Sequence, residues 1–119
     1  MTGPAVLAFV IGLEHIGIGL MEIFGSPKYQ AKAFDLDIKF TQQKEARVSM
    51  ANQGIYNGML GLLIILCFFI FKGATLVKIW QLLMNFIIVV GLFGGFTASK
   101  KIFLAQVFPA AMELFLLNL

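Results

Sequence analysis

Four long apolar runs separated by short polar breaks dominate the hydropathy pattern of this chain. They predict membrane-spanning helices over about residues 4–24, 48–71, 77–97 and 102–119, since about 20 apolar residues cross a bilayer once. Pro4 suits a helix start, and Gly25-Ser26-Pro27 is a stop. The second run opens with polar Asn52, Gln53, Tyr56 and Asn57 and closes at Lys72-Gly73. Trp80, near the start of the third, reads as an interfacial anchor, and the fourth contains Pro109. In the first loop, Phe34 to Phe40 alternates apolar and polar residues strictly. That is a strand period, and the expectation is an extended segment at the headgroup boundary, with Thr41 capping a helix that runs on through Arg47 into the second span.

Composition sharpens the class. Of 119 residues, 60% are hydrophobic and only 13% charged, with a mean hydropathy of +0.92. Soluble domains carry about a quarter charged residues, so these charges are too few to cover a globule. The expectation is an all-α, four-transmembrane-helix bundle, a single integral membrane domain over 1–119, with an amphipathic cytoplasmic loop at 25–47 between helices 1 and 2. A cleaved leader is not expected, because the N-terminus lacks a basic region and its apolar run holds Glu14, His15 and Glu22.

The net charge of +3 lies in the loops and suggests topology, with no nucleic-acid partner. Lys28, Lys32, Lys39, Lys44 and Arg47 in the first loop and Lys100 and Lys101 in the last share one side and outnumber Lys72 and Lys78 on the other. Basic residues favour the inner side, so the loops 25–47 and 98–101 are expected to be cytoplasmic and both termini outside, in the cell membrane. Cys67 is the lone cysteine, which excludes an intrachain disulfide and a multi-thiolate metal site.

At about 100° per residue, Ala8, Gly12, His15, Gly19 and Glu22 share one stripe of the first helix, with Glu14 at its edge. Small residues let another helix approach, and the stripe carries His15 and Glu22 to that neighbour. The second helix sets Asn52, Gln53 and Tyr56 roughly opposite Gly54, Gly58 and Gly61, with Asn57 between; Gln81 and Asn85 mark the third, and Gln106, Pro109 and Glu113 the fourth. A charged side chain facing lipid at mid-bilayer is unfavourable by about 2.5–3.5 kcal/mol, so these groups are expected to face protein or water. The predicted interior has two connected polar layers: Glu22, Asn52, Gln53, Tyr56 and Gln106 in the cytoplasmic half, and Glu14, His15, Asn85 and Glu113 nearer the middle or outer half.

Glu14, at the centre of the first span, reads as a proton or cation site in preference to a neutral acid that merely bridges helices. His15, Glu22, Glu113 and the Asn52-to-Asn57 group carry the same two readings. Glu-x-x-His on two helices, HExxH, GxSxG and a phosphate-binding GxxxxGK are all lacking, so neither a metal nor another cofactor is expected.

Leu13-Glu14-His15 continuing to Met21-Glu22-Ile23-Phe24, the run Asn52-Gln53-Gly54-Ile55-Tyr56-Asn57-Gly58, and Gln106-x-x-Pro109-Ala110 together resemble the domain of unknown function 1304 family of small four-helix membrane proteins. The resemblance spans almost the whole chain and implies the architecture, with no established activity. Three functions stay open. One is binding or transport of a small polar or cationic solute coupled to protonation of Glu14, in a homo-oligomer, most simply a dimer. The second is an enzyme acting by acid–base chemistry on a lipid, isoprenoid or quinone, and the third an assembly partner of a larger membrane complex. A pocket opening sideways to lipid would favour a lipid-like ligand; a path open to water on both faces would favour transport.

Overall fold

The computed structural model describes residues 2–119, all-helical with no strand among them. Helix α1 (Gly3–Phe24) is capped by the Thr2 hydroxyl, which accepts from the Ala5 amide, and Pro4 sits in its first turn. Two short helices follow, α2 (Pro27–Ala33) and α3 (Ile38–Thr41), and then α4 (Lys44–Ile70) and α5 (Gly73–Thr97). The chain ends in a π-helical turn, Phe103–Val107, leading into α6 (Phe108–Leu117). Helices α1, α4 and α5 are long and apolar enough to cross a membrane. The last apolar helical stretch, Phe103–Leu117, is shorter, about 22 Å at 1.5 Å per residue.

Three local expectations are corrected. The alternating segment 34–40 is not extended: a turn with Asp35 at φ 55° leads into α3, because the Asp37 carboxylate caps the amide of Lys39 at 2.8 Å. A helix cap within a short period-2 run outweighs the alternation. Thr41 does not start the long helix but ends α3, its hydroxyl donating to the Pro27 carbonyl at 2.8 Å, and α4 begins three residues later. Trp80 is no interfacial anchor. It lies 3% exposed, well inside α5, donating from Nε1 to the Ile64 carbonyl at 3.0 Å and stacking on Phe68.

Pro109 acts before its own position. A proline has no N–H and its ring crowds the carbonyl four residues back, so the helix widens into the π turn, with the Phe108 amide donating to Phe103.

Packing follows the glycines. On α1 the buried stripe is Ala5, Ala8, Ile11, Gly12, His15, Gly19 and Glu22. Its glycines face those of α4 in antiparallel register, Gly12 to Gly61 and Gly19 to Gly54. A Cβ at Gly54 would lie 2.6 Å from the Gly19 carbonyl oxygen, and one at Gly12 would lie 2.9 Å from that of Gly61. The backbones touch, so there is no flexible neighbour to give way. On the other side α5 packs on α6 and the π turn, with Val107 seated against Gly91 and the Phe103 ring over Gly95. Between the two pairs lies a core of Ala8, Ile11, Ile64, Trp80, Met84, Ile87 and Ala110.

Gly54→Ala is expected to destabilise the protein by about 1–3 kcal/mol, as overpacking does. Gly58→Ala, whose Cβ would meet nothing within 4 Å, should be near neutral. Thermal unfolding of the two variants in one detergent checks the contrast, and equal behaviour would refute the backbone contact.

Candidate functional site

The end of α1 is fixed by the loop that follows it. Gln30, buried at the start of that loop, donates its amide to the carbonyls of Met21 (3.0 Å) and Glu22 (3.1 Å), and Arg47 Nη2 donates to Gly25 (3.2 Å). The carbonyls of Glu22 and Gly25 are among those a helix C-terminus leaves free, while that of Met21 also accepts from the Gly25 amide at 2.8 Å, and a cation there also suits the helix dipole. Glu22 is thereby held on the inner edge of α1, 8% exposed, its Oε1 accepting from Asn57 Nδ2 of α4 at 2.6 Å.

Two cavities adjoin around this pair. The first, of about 620 Å³, is lined by His15 of α1, by Gln53, Tyr56, Asn57 and Leu60 of α4, by Phe86 and Val90 of α5 and by Gln106 of the π turn. The second, of about 500 Å³, contains Glu22 and continues to the loop residues Phe34 and Leu36 and to Ser99 and Lys101. Gln53, Asn57, Val90 and Gln106 line both, so the two form one cleft. It lies between α4 and α5, which are pinned by Trp80 and Ile64 near their short connection and make little contact beyond it. Its rim, with Tyr56 (74% exposed), Met59, Leu63 and Phe86, opens sideways.

Six sequence-predicted residues therefore meet: His15, Glu22, Gln53, Tyr56, Asn57 and Gln106. His15 Nδ1 donates to the Ile11 carbonyl at 2.9 Å, a bond that assigns a proton to Nδ1, so that Nε2 is the ring's remaining polar atom. Four residues lie elsewhere. Glu14 lines neither cavity; its side chain is about a third exposed, and the nearest carboxylate oxygen is 4.0 Å from His15 Nδ1, beyond hydrogen bonding. Asn52 and Asn85 are exposed and donate to carbonyls of their own helices, Val48 and Gln81. Glu113 is fully buried outside the cleft, and neither oxygen reaches a protein donor.

A second cluster closes the loop end of the cleft. Asp35 accepts from the Ser99 hydroxyl at 2.5 Å and from Lys101 Nζ at 2.9 Å, and Lys101 also donates to the Lys32 carbonyl at 3.3 Å. Lys101 thus does more than mark topology. The Ser99 hydroxyl, then the Lys101 ammonium, hold the Asp35 carboxyl below the usual aspartate range. These bonds strap the 33–37 turn, and with it Phe34 and Leu36, across the second cavity. Sequence reasoning missed this strap, because nothing in the local pattern joins residues 64 positions apart. It also missed Val90, a plain apolar residue at the junction of the cavities.

The family model described as "Protein of unknown function (DUF1304)" matches residues 9–118. The uncharacterized protein YpaA of Lactococcus lactis subsp. lactis (strain IL1403) is 36% identical over 102 residues, which cover 85% of this chain and 84% of that protein. No solved structure matches the chain.

Two outcomes follow from the geometry. With its pKa depressed by folding, Asp35 supports the strap fully above the ordinary aspartate value of about 3.9, and the support is lost as pH falls through the lower folded-state value. A spin-label distance between positions 36 and 100, in a Cys67→Ser background, should hold from neutral pH to about 4 and lengthen only in stronger acid. In Asp35→Asn it should be longer already at neutral pH; an unchanged distance counts against the strap. Glu113→Leu keeps bulk and removes two buried oxygens without donors, so unfolding in detergent should show about 1–3 kcal/mol of added stability. A loss would mean the carboxyl is held by a partner.

Proposed function

The chain belongs to the DUF1304 family of proteins of unknown function, and from that premise we propose that it is an integral membrane protein that binds an amphipathic small molecule in the cleft between α4 and α5. Its outer surface supports the location. Phe69, Phe86, Phe93, Phe96, Leu104 and Phe115 are all exposed, a display suited to lipid and unfavourable in water. The longest dimension is 48 Å, close to the 40–45 Å of a bilayer with its headgroups. In this reading the stretch Phe103–Leu117 is the fourth, short span of a four-helix bundle. The basic loops 25–47 and 98–101 then lie on the cytoplasmic side and both termini outside.

The observation that carries the proposal is the direction in which the cleft opens. Its inner wall holds Glu22, Asn57, Gln53 and Gln106, while its lateral rim is largely apolar and lies between two candidate membrane spans. That is the arrangement expected of a site with a polar end for orientation and apolar walls for a tail. A proton-coupled solute path through Glu14 loses support, since Glu14 stands outside the cleft. Acid–base chemistry on a lipid, isoprenoid or quinone would use the same cavity, with His15 and Glu22 as the groups at hand, so binding is common to both.

Val90→Trp places an indole where the two cavities meet. Solvent extraction of protein purified from membranes, followed by mass spectrometry, should yield an amphiphile in near-stoichiometric amount from the parent and much less from the variant. Equal yields, or none from either, would sink the proposal.

A further inference from the structure

The directions of the hydrogen bonds define what the inner end of this cleft offers a ligand. Glu22 accepts from Asn57 Nδ2 through Oε1, and its second oxygen has no hydrogen-bond partner among the described residues. The Asn57 amide turns its nitrogen to that carboxylate, so its Oδ1 remains as an acceptor. The free donors in the lining are neutral, the amides of Gln53 and Gln106 and the Tyr56 hydroxyl, and the cations nearby are already engaged. Lys101, the one cation in the lining, is paired with Asp35 and the Lys32 carbonyl; Gln30 donates to Met21 and Glu22, and Arg47, outside the lining, donates to Gly25 through Nη2 while its Nη1 has no partner among the described residues. The backbone amides of Ile102 and Phe103, at the start of the π turn, are bonded to Ser99 and Lys100. The wall around Glu22 is otherwise largely apolar, including Ile18, Met21 and Met50.

We infer that the head group seated beside Glu22 is an ammonium on a single-chain amphiphile, taken as ion-pair partner by the free carboxylate oxygen with Asn57 Oδ1 as second acceptor; this rests on the cleft being a binding site for amphiphiles. A carboxylate more than nine-tenths buried, with one amide donor, is left short of compensating charge, and an ammonium with its three donors supplies it. A phosphate head meets the opposite situation: a like charge, and no unpaired cation in the lining to pair with it. A neutral hydroxyl can donate one hydrogen bond but brings no charge.

The test uses the full chain in maltoside micelles, with native mass spectrometry of bound dodecylamine, dodecanol and dodecyl phosphate. Dodecylamine should be retained in preference to the other two. Glu22→Gln should weaken its binding by about thirtyfold or more, the scale for removing one partner of a buried charge pair, while leaving the thermal transition near that of the parent. If Glu22→Gln does not fold, Gln106→Lys decides, since its own ammonium reaches into the cleft and should exclude the amine. Equal retention of dodecanol or dodecyl phosphate overturns the head-group assignment and leaves the cleft as a site. Failure of all three to bind, with Val90→Trp also without effect, removes the site itself.

Discussion

Direct contact between the backbones of α1 and α4 is the constraint on which the rest of this structure depends. Without a Cβ at Gly12, Gly19, Gly54 and Gly61, the two helices approach until carbonyl oxygens lie where side chains would stand. Such packing needs no difference in hydrophobicity between helix and surroundings, which is the situation inside a bilayer. It also brings Glu22 within reach of Asn57. A wider separation of α1 and α4 would leave a buried carboxylate without its amide donor.

With α1 bound to α4 on one side and α5 to α6 on the other, the two pairs meet at the apolar core and are also joined by two polar links. Near one end the Trp80 indole crosses from α5 to an α4 carbonyl. Near the other, Asp35 reaches from the first loop to Ser99 and Lys101. The cleft is what remains between these ties. Its loop-end tie is half exposed, ionic and weak in isolation, whereas the Trp80 tie is buried and apolar around its single hydrogen bond. Any change in the width of the cleft therefore falls on the loop end, beside Glu22.

Polar residues divide by whether their hydrogen-bonding groups are satisfied locally. Asn52, Asn85, Thr97 and Asn118 each fold back on the carbonyl four residues earlier in their own helix. An amide facing an apolar exterior is made tolerable this way, because its donor is not left bare. Glu22 and Asn57 bond to each other across helices, and His15, although it folds back on Ile11, keeps Nε2 free; with Gln53, Tyr56 and Gln106 they leave polar groups open inside the cleft. Glu113 belongs to neither group, being fully buried on α6 with no donor in reach.

The inner face of α1 could be read from the chain, since a 3.6-residue period assigns Ala8, Gly12, His15, Gly19 and Glu22 to one stripe whatever surrounds it. Apolar run lengths likewise determined the all-helical class and the three long helices, because backbone groups away from water must bond within their own segment. Periodicity identifies a face but not its neighbour, so Asn52 and Asn85 looked no different in sequence from Gln53 and Asn57. Only the tertiary structure decided that Glu14 stands aside, that Trp80 turns inward, and that Asp35 meets Ser99. Each of these depends on how segments distant in sequence are set against one another, and for α1 and α4 that spacing comes from backbone contact at four glycines.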